Sequence, residues 1–341
     1  MIDTSAGVHR MTVRSVVTET ADAVSIVFDA EPADVRYAAG QFLTIRVPGD
    51  AGPVARCYSL SSAPCADPHL QITVKRVDGG YASHWLCDNV VAGTELETLR
   101  AAGTFGPTRW DVDFLLVAGG SGITPILSIL KTALIEHRNK VTLLYANRDA
   151  ASVIFGDQLA DLVRRYPERL EVIHWLESDS GRPTVSGLRS RLRKRPRGHV
   201  FVCGPGPFMN VVDEYVRSEK IARDRVHKEV FVSLTGDVSG APTAAAPGAE
   251  AAHVVAELDG AEHRLRWPKE TPLLDVLLAE GLDPQYACRE GSCGACAYTL
   301  RGGEVKMLAN DTLDSHELRK GIRLACQSVP LTDDVHVVFD Q

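Results

Sequence analysis

Three cysteines near the C-terminus stand at a spacing that suits iron–sulfur chemistry. The stretch YACREGSCGACAY places Cys288, Cys293 and Cys296 in a C-x4-C-x2-C pattern, and Cys326 follows later in RLACQ. This is the plant-type [2Fe–2S] spacing, in which four thiolates hold two irons. Free buried thiols or a zinc site are the alternatives, but zinc sites favour paired C-x2-C elements and this stretch has one. We therefore predict a cluster on these four cysteines.

A second candidate site lies in RCYSLSS, residues 56–62. Arg56 can clamp a pyrophosphate, the ring of Tyr58 can stack on a flat heterocycle, and Ser59 can hydrogen-bond the edge of that ring. Side chains at alternate positions of one strand share a face, so we expect these three to lie together. The alternative is an edge strand that has no role in ligand binding.

A predicted anion site follows in VKRVDGGYASHWL, where Lys75 ends a strand, Gly80 closes a turn and Ser83 lies at the start of a helix. A helix N-terminus preceded by glycines binds anions through its unpaired N–H groups. A plain hairpin turn is the alternative. Together with Arg56, this second phosphate-suited element favours a dinucleotide as the ligand.

Two further glycine-rich stretches, VAGGSGITPI and VCGPGPFM, each follow a predicted strand. Glycines between a strand and a helix let a pyrophosphate approach the backbone, and ligands of open α/β sheets bind at that edge. No G-K-[ST] follows, so neither stretch is a Walker loop, and a structural turn remains the alternative. The candidate cofactor-binding residues are Gly119, Gly120, Gly122, Thr124, Gly204 and Pro205.

The elements that carry these residues change along the chain. The first hundred residues hold short alternating segments such as TVRSVVTET and AVSIVFDA, which indicate an antiparallel barrel or sandwich with one helix near YASHWLCDNV. From residue 113, strands such as FLLVA, VTLLYA and VHKEVFV alternate with helices, which predicts a parallel α/β sheet. Residues 233–251 are rich in Ala, Gly, Pro and Thr and indicate a flexible linker before the cysteine-bearing end.

Composition limits the possible functions. With 341 residues, 45% hydrophobic and 24% charged, the chain is typical of a soluble protein of two or three domains. No long apolar run or secretory signal is present, so we expect a cytoplasmic protein without a membrane span. Residues 252–341 carry a charge of −6 out of the total of −7. This balance argues against nucleic acid as a partner and fits an acidic module that docks on a basic protein patch.

Together the motifs resemble those of the ferredoxin–NADP reductase superfamily fused to a C-terminal plant-type ferredoxin. RCYSLS is similar to the R-x-Y-S motif, KRVDGGYASHWL to the second FAD motif, and GGSGITP and CGPGPFM to the nicotinamide-binding motifs. Glu229 and Phe231 resemble the acidic-x-aromatic signature that ends the reductase module. This order is that of the reductase components of bacterial multicomponent oxygenases. Strings such as VTLLYANRDAASVIF look most like the reductase of 3-ketosteroid 9α-hydroxylase, a Rieske monooxygenase, with that of phenylacetyl-CoA epoxidase as runner-up.

The resemblance implies a multidomain fold and roles for single residues. It implies an FAD-binding β-barrel over 1–112, an NAD(P)-binding α/β domain over 113–232 and a β-grasp ferredoxin domain over 252–341. Arg56 would hold the FAD pyrophosphate, Tyr58 would stack on the isoalloxazine, and Ser59 would bond near N5. The residues implied around the FAD phosphates are Lys75, Gly80 and Ser83. Those implied for the nicotinamide dinucleotide include Gly119, Gly120, Gly122 and Thr124. Those implied near the hydride path are Cys203, Glu229 and Phe231.

The function that the resemblance implies is an NADH-dependent reductase that passes electrons through FAD and [2Fe–2S] to a Rieske-type terminal oxygenase in steroid or cholesterol degradation. Another multicomponent oxygenase is an alternative partner. A non-enzymatic [2Fe–2S] carrier or redox sensor, and a flavin reductase acting directly on a small molecule, are alternatives of other classes. NADPH stays possible because Arg148 could meet a 2′-phosphate. Three roles are open for the basic run 189–198: a docking patch, a contact to a nucleotide phosphate, or a solvated helix end.

Overall fold

The structure, a computed structural model, describes residues 8–30, 35–49, 52–192, 198–231, 250–313 and 315–339. Its N-terminal part is an antiparallel sheet. The strands are β1 (Val8–Thr20), β2 (Ala23–Phe28), β3 (Phe42–Val47), β4 (Val54–Ser59), β5 (Gln71–Lys75) and β6 (Glu95–Leu99), in the order β4-β3-β6-β1-β2-β5. Helix α1 (Tyr81–Asn89) follows β5.

This sheet curls into a barrel-like form in which its outer strands meet. Buried and exposed side chains alternate along its strands. In β1, Met11 and Val13 are buried while their neighbours face outward. Register shifts in the β1–β2 ladder bend the pair, as bulges do. An antiparallel bridge from Leu60 to Ile72 joins the ends of β4 and β5, the outer strands of the sheet. The predicted antiparallel architecture is confirmed, and the helix predicted near YASHWLCDNV is observed at Tyr81–Asn89.

The middle of the chain is a parallel sheet covered by helices. From one edge of the sheet to the other, the strands are β11 (Val226–Glu229), β10 (His199–Cys203), β7 (Phe114–Gly119), β8 (Val141–Asn147) and β9 (Leu170–Leu176). Helices α2 (Ile123–Ile135), α3 (Gly156–Arg165), α4 (Glu177–Ser180), α5 (Val185–Arg191) and α6 (Gly206–Ser218) lie between the strands in sequence. Apolar clusters fill both faces of the sheet, as a parallel sheet requires. The predicted α/β domain is confirmed.

The last module is a mixed sheet packed against one helix. Strands β12 (Ala251–Leu258), β13 (Ala261–Pro268), β14 (Ala297–Gly302), β16 (Ile322–Leu324) and β18 (Asp334–Val338) form the sheet, with β12 and β18 parallel. Strands β15 (Val305–Met307) and β17 (Ser328–Pro330) pair separately. Helix α7 (Leu273–Ala279) packs on the core around Trp267, and α8 (Ser315–Arg319) precedes β16.

Several predicted boundaries differ from the observed ones. Ala251, expected to be the last linker residue, begins β12 because it pairs with Pro268. The strand predicted over VHKEVFV ends at Glu229, since its partner strand ends opposite it at Cys203. The rest of the predicted linker up to residue 249, and residues 193–197 of the basic run, lie outside the described residues.

Candidate functional site

The four predicted ligand cysteines come together in the last module. Cys288, Cys293 and Cys296 lie between α7 and β14, and Cys326 lies in the 3₁₀ turn Ala325–Gln327. The Cys288 thiol is within hydrogen-bonding reach of Cys293 and Cys326, and Cys326 is within reach of Cys296. These contacts lower the pKa of Cys288 and raise the pKa of Cys326, so the thiols do not ionise independently.

This donor set fits a binuclear cluster. Among the described residues, no three His, Cys, Asp or Glu side chains surround a point that a single metal ion could occupy. The four cysteines in contact are the thiolate number that a [2Fe–2S] cluster shares between its two irons. Backbone N–H groups also reach the sulfurs, from Glu290 to Cys288 Sγ at 3.3 Å and from Cys326 to Cys296 Sγ at 3.5 Å.

Backbone geometry and side-chain contacts hold the cysteine loop. Gly291 and Gly294 have φ values of 83° and 72°, in the left-handed region that glycine adopts without strain. Arg289 pairs with the Asp275 carboxylate on α7, and its carbonyl accepts a hydrogen bond from Gln327 Nε2 at 2.8 Å. The loop is therefore anchored both to the helix and to the segment that carries the fourth cysteine.

Strand β4 carries the RCYS motif, and its side chains point in two directions. Arg56 and Tyr58 share one face, and Tyr58 packs against the barrel core. Ser59 is the next residue, so strand alternation turns it to the opposite face with Cys57. The expectation that all three motif side chains share a face is therefore wrong for Ser59. Ser59 Oγ instead donates to Glu229 Oε2 at 3.4 Å and links the barrel to β11.

The predicted phosphate-binding residues lie where α1 begins. Gly80 precedes the helix, which no described side chain caps, so its first N–H groups stay available to an anion. Ser83 Oγ accepts from the N–H of Val77 at 3.1 Å and donates to the carbonyl of Gly80 at 3.2 Å, and so stabilises this turn. Lys75 Nζ lies 3.6 Å from the Asp22 carboxylate on the neighbouring turn. This donor set suits a phosphate group, as FAD would supply.

The loops after β7 and β10 pack so closely that side chains do not fit between them. A Cβ on Gly122 would lie 2.2 Å from the carbonyl oxygen of Cys203. One on Gly204 would lie 2.8 Å from the Phe208 ring. At Gly122 the backbones of the two loops are in direct contact, at the point where the strand order reverses between β7 and β10. That geometry suits a pyrophosphate in close contact with the main chain.

The remaining predicted nucleotide-binding residues shape these loops. Gly119 ends β7, and Gly120 follows with a φ of 52°, a conformation that favours glycine. Thr124 Oγ1 donates to the carbonyl of Ser121 at 3.0 Å and so is engaged in the loop itself. Pro205 is the residue before α6 and leads into that helix.

Glu229 and Cys203 pair across β11 and β10 at the same edge. The Glu229 residue keeps some exposed surface, but its carboxyl group is buried. Burial raises the pKa of this carboxyl to about 8, against the smaller opposing effect of the hydrogen bond from Ser59. Burial also raises the pKa of the Cys203 thiol well above its usual range. Both groups are uncharged at neutral pH, whereas Phe231 lies two residues past β11 and is 48% exposed.

One polar contact at this edge was missed by sequence reasoning. Arg148, which follows β8, donates to the carboxylate of Asp22 in the β1–β2 turn at 2.8 Å. Although burial acts in the opposite direction, the hydrogen bond from Thr20 and the charges of Lys75 and Arg148 hold the pKa of Asp22 below its usual value. These two residues are 126 positions apart, and no local pattern connects them.

Three family models match the chain in the order of its sheets. The model described as an oxidoreductase FAD-binding domain matches residues 10–106. The oxidoreductase NAD-binding domain matches residues 116–214, and the 2Fe-2S iron-sulfur cluster binding domain matches residues 256–331. The predicted cofactor classes are thereby confirmed. In the described part of the chain, no helix combines the length and apolarity needed to cross a membrane.

Relatives match over almost the whole length. The chain is 50% identical over 345 residues to the 3-ketosteroid-9-alpha-monooxygenase ferredoxin reductase component of Mycobacterium tuberculosis, covering 98% of this chain and 96% of the relative. It is 32% identical to one component of the 1,2-phenylacetyl-CoA epoxidase of Escherichia coli, with 97% and 98% covered. Phthalate dioxygenase reductase is similar in structure, with a TM-score of 0.59, 24% identity and 98% of each chain covered, which supports the fold.

Proposed function

The chain belongs to the family of oxygenase reductase components that join FAD-binding, NAD-binding and 2Fe-2S domains, and from this premise we propose that it carries electrons from NADH to the Rieske-type oxygenase of a 3-ketosteroid 9α-hydroxylase. FAD and a [2Fe–2S] cluster would be its resident cofactors. Its greater similarity to the steroid enzyme's reductase favours that partner over phenylacetyl-CoA epoxidase.

The observation that carries this proposal is the position of β4 among the three candidate sites. Arg56 and Tyr58 occupy one face of the strand. Cys57, on the other face, packs in the same apolar cluster as Cys293. At the end of the strand, Ser59 is hydrogen-bonded to Glu229 of the α/β domain. One short strand thus touches the proposed flavin, cluster and hydride sites, which gives electrons a short path.

We assign Ser59 and Glu229 to the control of a proton beside the flavin. Ser59 Oγ donates to Glu229 Oε2, and below about pH 8 the Glu229 carboxyl holds its own proton. A neutral carboxyl is a weaker acceptor than a carboxylate, so the Ser59 hydroxyl can turn its hydrogen to a bound ring. When bound, FAD accepts an electron pair from a nicotinamide and releases the electrons singly, which a one-electron cluster requires.

Charges at the sheet edge favour NADH over NADPH as the donor. Arg148, the candidate contact for a 2′-phosphate, is paired with the Asp22 carboxylate. Glu177 follows directly after β9 at the edge where β8 also ends. An acidic residue there can bond ribose hydroxyls and repel a phosphate. No acidic residue ends β8, whose last residue is Asn147, but the neighbouring strand is followed by one.

The oxygenase partner would dock transiently on the acidic last module, whose charge of −6 suits a basic surface. We place the domain boundaries as predicted, at 1–112 and 113–232, with the last module beginning at Ala251. A cytoplasmic location is in keeping with eight cysteines that are all free of disulfides.

Reconstitution tests the proposal. The purified protein is combined with NADH, a 3-ketosteroid and the oxygenase component of a 3-ketosteroid 9α-hydroxylase, and hydroxylated product is measured. In parallel, the oxygenase component of phenylacetyl-CoA epoxidase is supplied with its own substrate. We expect product from the first mixture and little from the second. Equal or better support of the epoxidase would assign the runner-up partner.

Two further outcomes would replace the proposal with another class of function. Purification with a cluster but without flavin would favour a carrier or sensor. Rapid turnover of a small-molecule acceptor without any protein partner would favour a flavin reductase that acts directly.

A further inference from the structure

The last module is seated on the barrel through a small apolar contact beside the cysteine loop. Phe42 and Ala102 of the barrel are buried in one cluster with Ala287 and Ala295, which flank the predicted ligands. Cys57 and Cys293 pack against the same cluster. The contact therefore brings the proposed cluster against the outward face of β3 and β4.

The apolar contact extends along the barrel. Ala55 and Leu99 of the barrel are buried within the main apolar cluster of the last module, and Val8 packs against it. Apolar packing is not directional, so the polar contacts at the rim of this face can fix the orientation of the module.

Arg100 provides a bidentate polar contact across this boundary. It follows β6 and is one-quarter exposed. Its Nη1 and Nη2 donate to the two carboxylate oxygens of Asp259 at 3.2 and 3.3 Å, a bidentate pair. Nη1 also donates to the carbonyl of Asp283 at 3.0 Å. Arg100 thus contacts two separate turns of the last module, and a planar guanidinium holds such a geometry better than a point charge.

Two weaker contacts lie at other points on the same rim. Gln41 Nε2 donates to Gln285 Oε1 at 3.4 Å. His9 Nε2 lies 3.9 Å from the carboxylate of Asp283. All three barrel residues meet the segment between α7 and the cysteine loop, at Asp283 or Gln285, and Arg100 also meets the β12–β13 turn at Asp259. The rim therefore orients the loop as well as the module.

We propose that Arg100 is a positioning residue that holds the last module on the barrel with the cluster loop against β4, ready to receive electrons. This inference rests on the proposed function. In each transfer, one electron leaves the reduced flavin and one enters the cluster, and NADH supplies the pair. Because the Asp259 side chain is 53% exposed to solvent, the clamp is weak enough to be reversible.

The test is Arg100→Ala in the full-length holoprotein, with Arg264→Ala as the matched control. Arg264 pairs with Glu262 of its own strand at 2.9 Å, at the surface of the same module. Stopped-flow spectroscopy follows flavin reduction by NADH and the later reduction of the cluster. We expect flavin reduction to be unchanged and cluster reduction to slow about three- to tenfold in Arg100→Ala alone. Arg100→Lys keeps the positive charge but lacks the planar guanidinium, so cluster reduction should slow less in this variant than in Arg100→Ala.

A second readout does not depend on turnover. Small-angle X-ray scattering should show a larger radius of gyration for Arg100→Ala than for the wild type and the Arg264→Ala control, because the module spends more time away from the barrel. Asp259→Asn should act in the same direction. Unchanged cluster reduction and an unchanged radius in Arg100→Ala would overturn the clamp while leaving the proposed function intact. Failure of the wild type to reduce its flavin with NADH would instead overturn the proposed function.

Discussion

At the scale of single residues, the site depends on groups whose charge is set by what surrounds them. Glu229 keeps its proton because its carboxyl is buried beside Cys203 and Ser59. Although burial acts in the opposite direction, the hydrogen bond from Thr20 and the charges of Lys75 and Arg148 hold the pKa of Asp22 below its usual value. The protonated state of Glu229 does not follow from residue type, since an isolated carboxyl ionises at acidic pH. Each of these two carboxyl groups leads to a separate prediction.

Glu229 should impose a pH dependence on flavin reduction by NADH. Its pKa is raised from 4.5 to about 8, so the proton remains through neutral pH and leaves as pH rises through about 8. Ionisation turns the Ser59 hydrogen towards the carboxylate and away from the ring, so we expect the rate to fall there. Glu229→Gln should remove this inflection between pH 6 and pH 10, measured by stopped flow. An unchanged inflection in the variant would assign it to another group.

Asp22 should affect the choice of coenzyme although it lies in the barrel. Asp22→Asn would release the Arg148 guanidinium, and we expect the KM for NADPH to fall about three- to tenfold with little change for NADH. Asp111→Asn is the control, because Asp111 forms a comparable pair with Arg109 at 2.8 Å on the surface. Equal changes for both coenzymes would mean that Asp22 acts only on the packing of the two domains.

At the scale of elements, the two glycine loops at the edge of the parallel sheet make the nucleotide site. Their backbones touch, so a single methyl group should disrupt them. Gly122→Ala would place Cβ 2.2 Å from the Cys203 carbonyl, and we expect a loss of about 1–3 kcal/mol in stability together with weaker NADH binding.

Gly206→Ala is the matched control for that substitution. It lies at the start of α6, and within the described part of the chain a Cβ there would meet no heavy atom within 4 Å. Thermal unfolding and KM for NADH measure both effects. Equal tolerance of the two alanines would contradict the close packing of the loops.

Sequence patterns predicted those elements that repeat a period or carry a motif. The strands of the barrel and the parallel sheet, and helices such as Ile123–Ile135, follow from alternation and apolar periodicity. The three-residue strands Val305–Met307 and Ile322–Leu324 were not predicted, because so short a segment has no period. The Ser59–Glu229 and Arg100–Asp259 contacts join residues more than 150 positions apart, and only the tertiary fold brings such pairs together.

At the scale of the whole molecule, the last module differs from the rest of the chain in both charge and function. The barrel and the α/β domain carry the proposed hydride chemistry and are nearly neutral, whereas residues 252–341 carry a charge of −6. An acidic surface speeds association with a basic partner and is screened by salt. Delivery of electrons to the oxygenase should therefore be separable from their uptake.

Charge reversal at Glu304 and Asp311, both exposed on the last module, should slow reduction of the oxygenase several-fold at low ionic strength. Reduction of ferricyanide by NADH should stay unchanged, because a small dye needs no docking surface. Reversal at Glu168 and Glu171, exposed on the α/β domain, is the control. Equal loss of oxygenase and dye reduction would contradict docking on the acidic module.

An anaerobic NADH titration followed by visible spectroscopy shows whether the flavin and the cluster lie on one path from NADH. We expect flavin absorbance near 450 nm and cluster absorbance to fall together, with uptake of about three electrons per chain. A flavin that is fully reduced while the cluster stays oxidised would contradict this expectation, because the cluster would then stand outside the path.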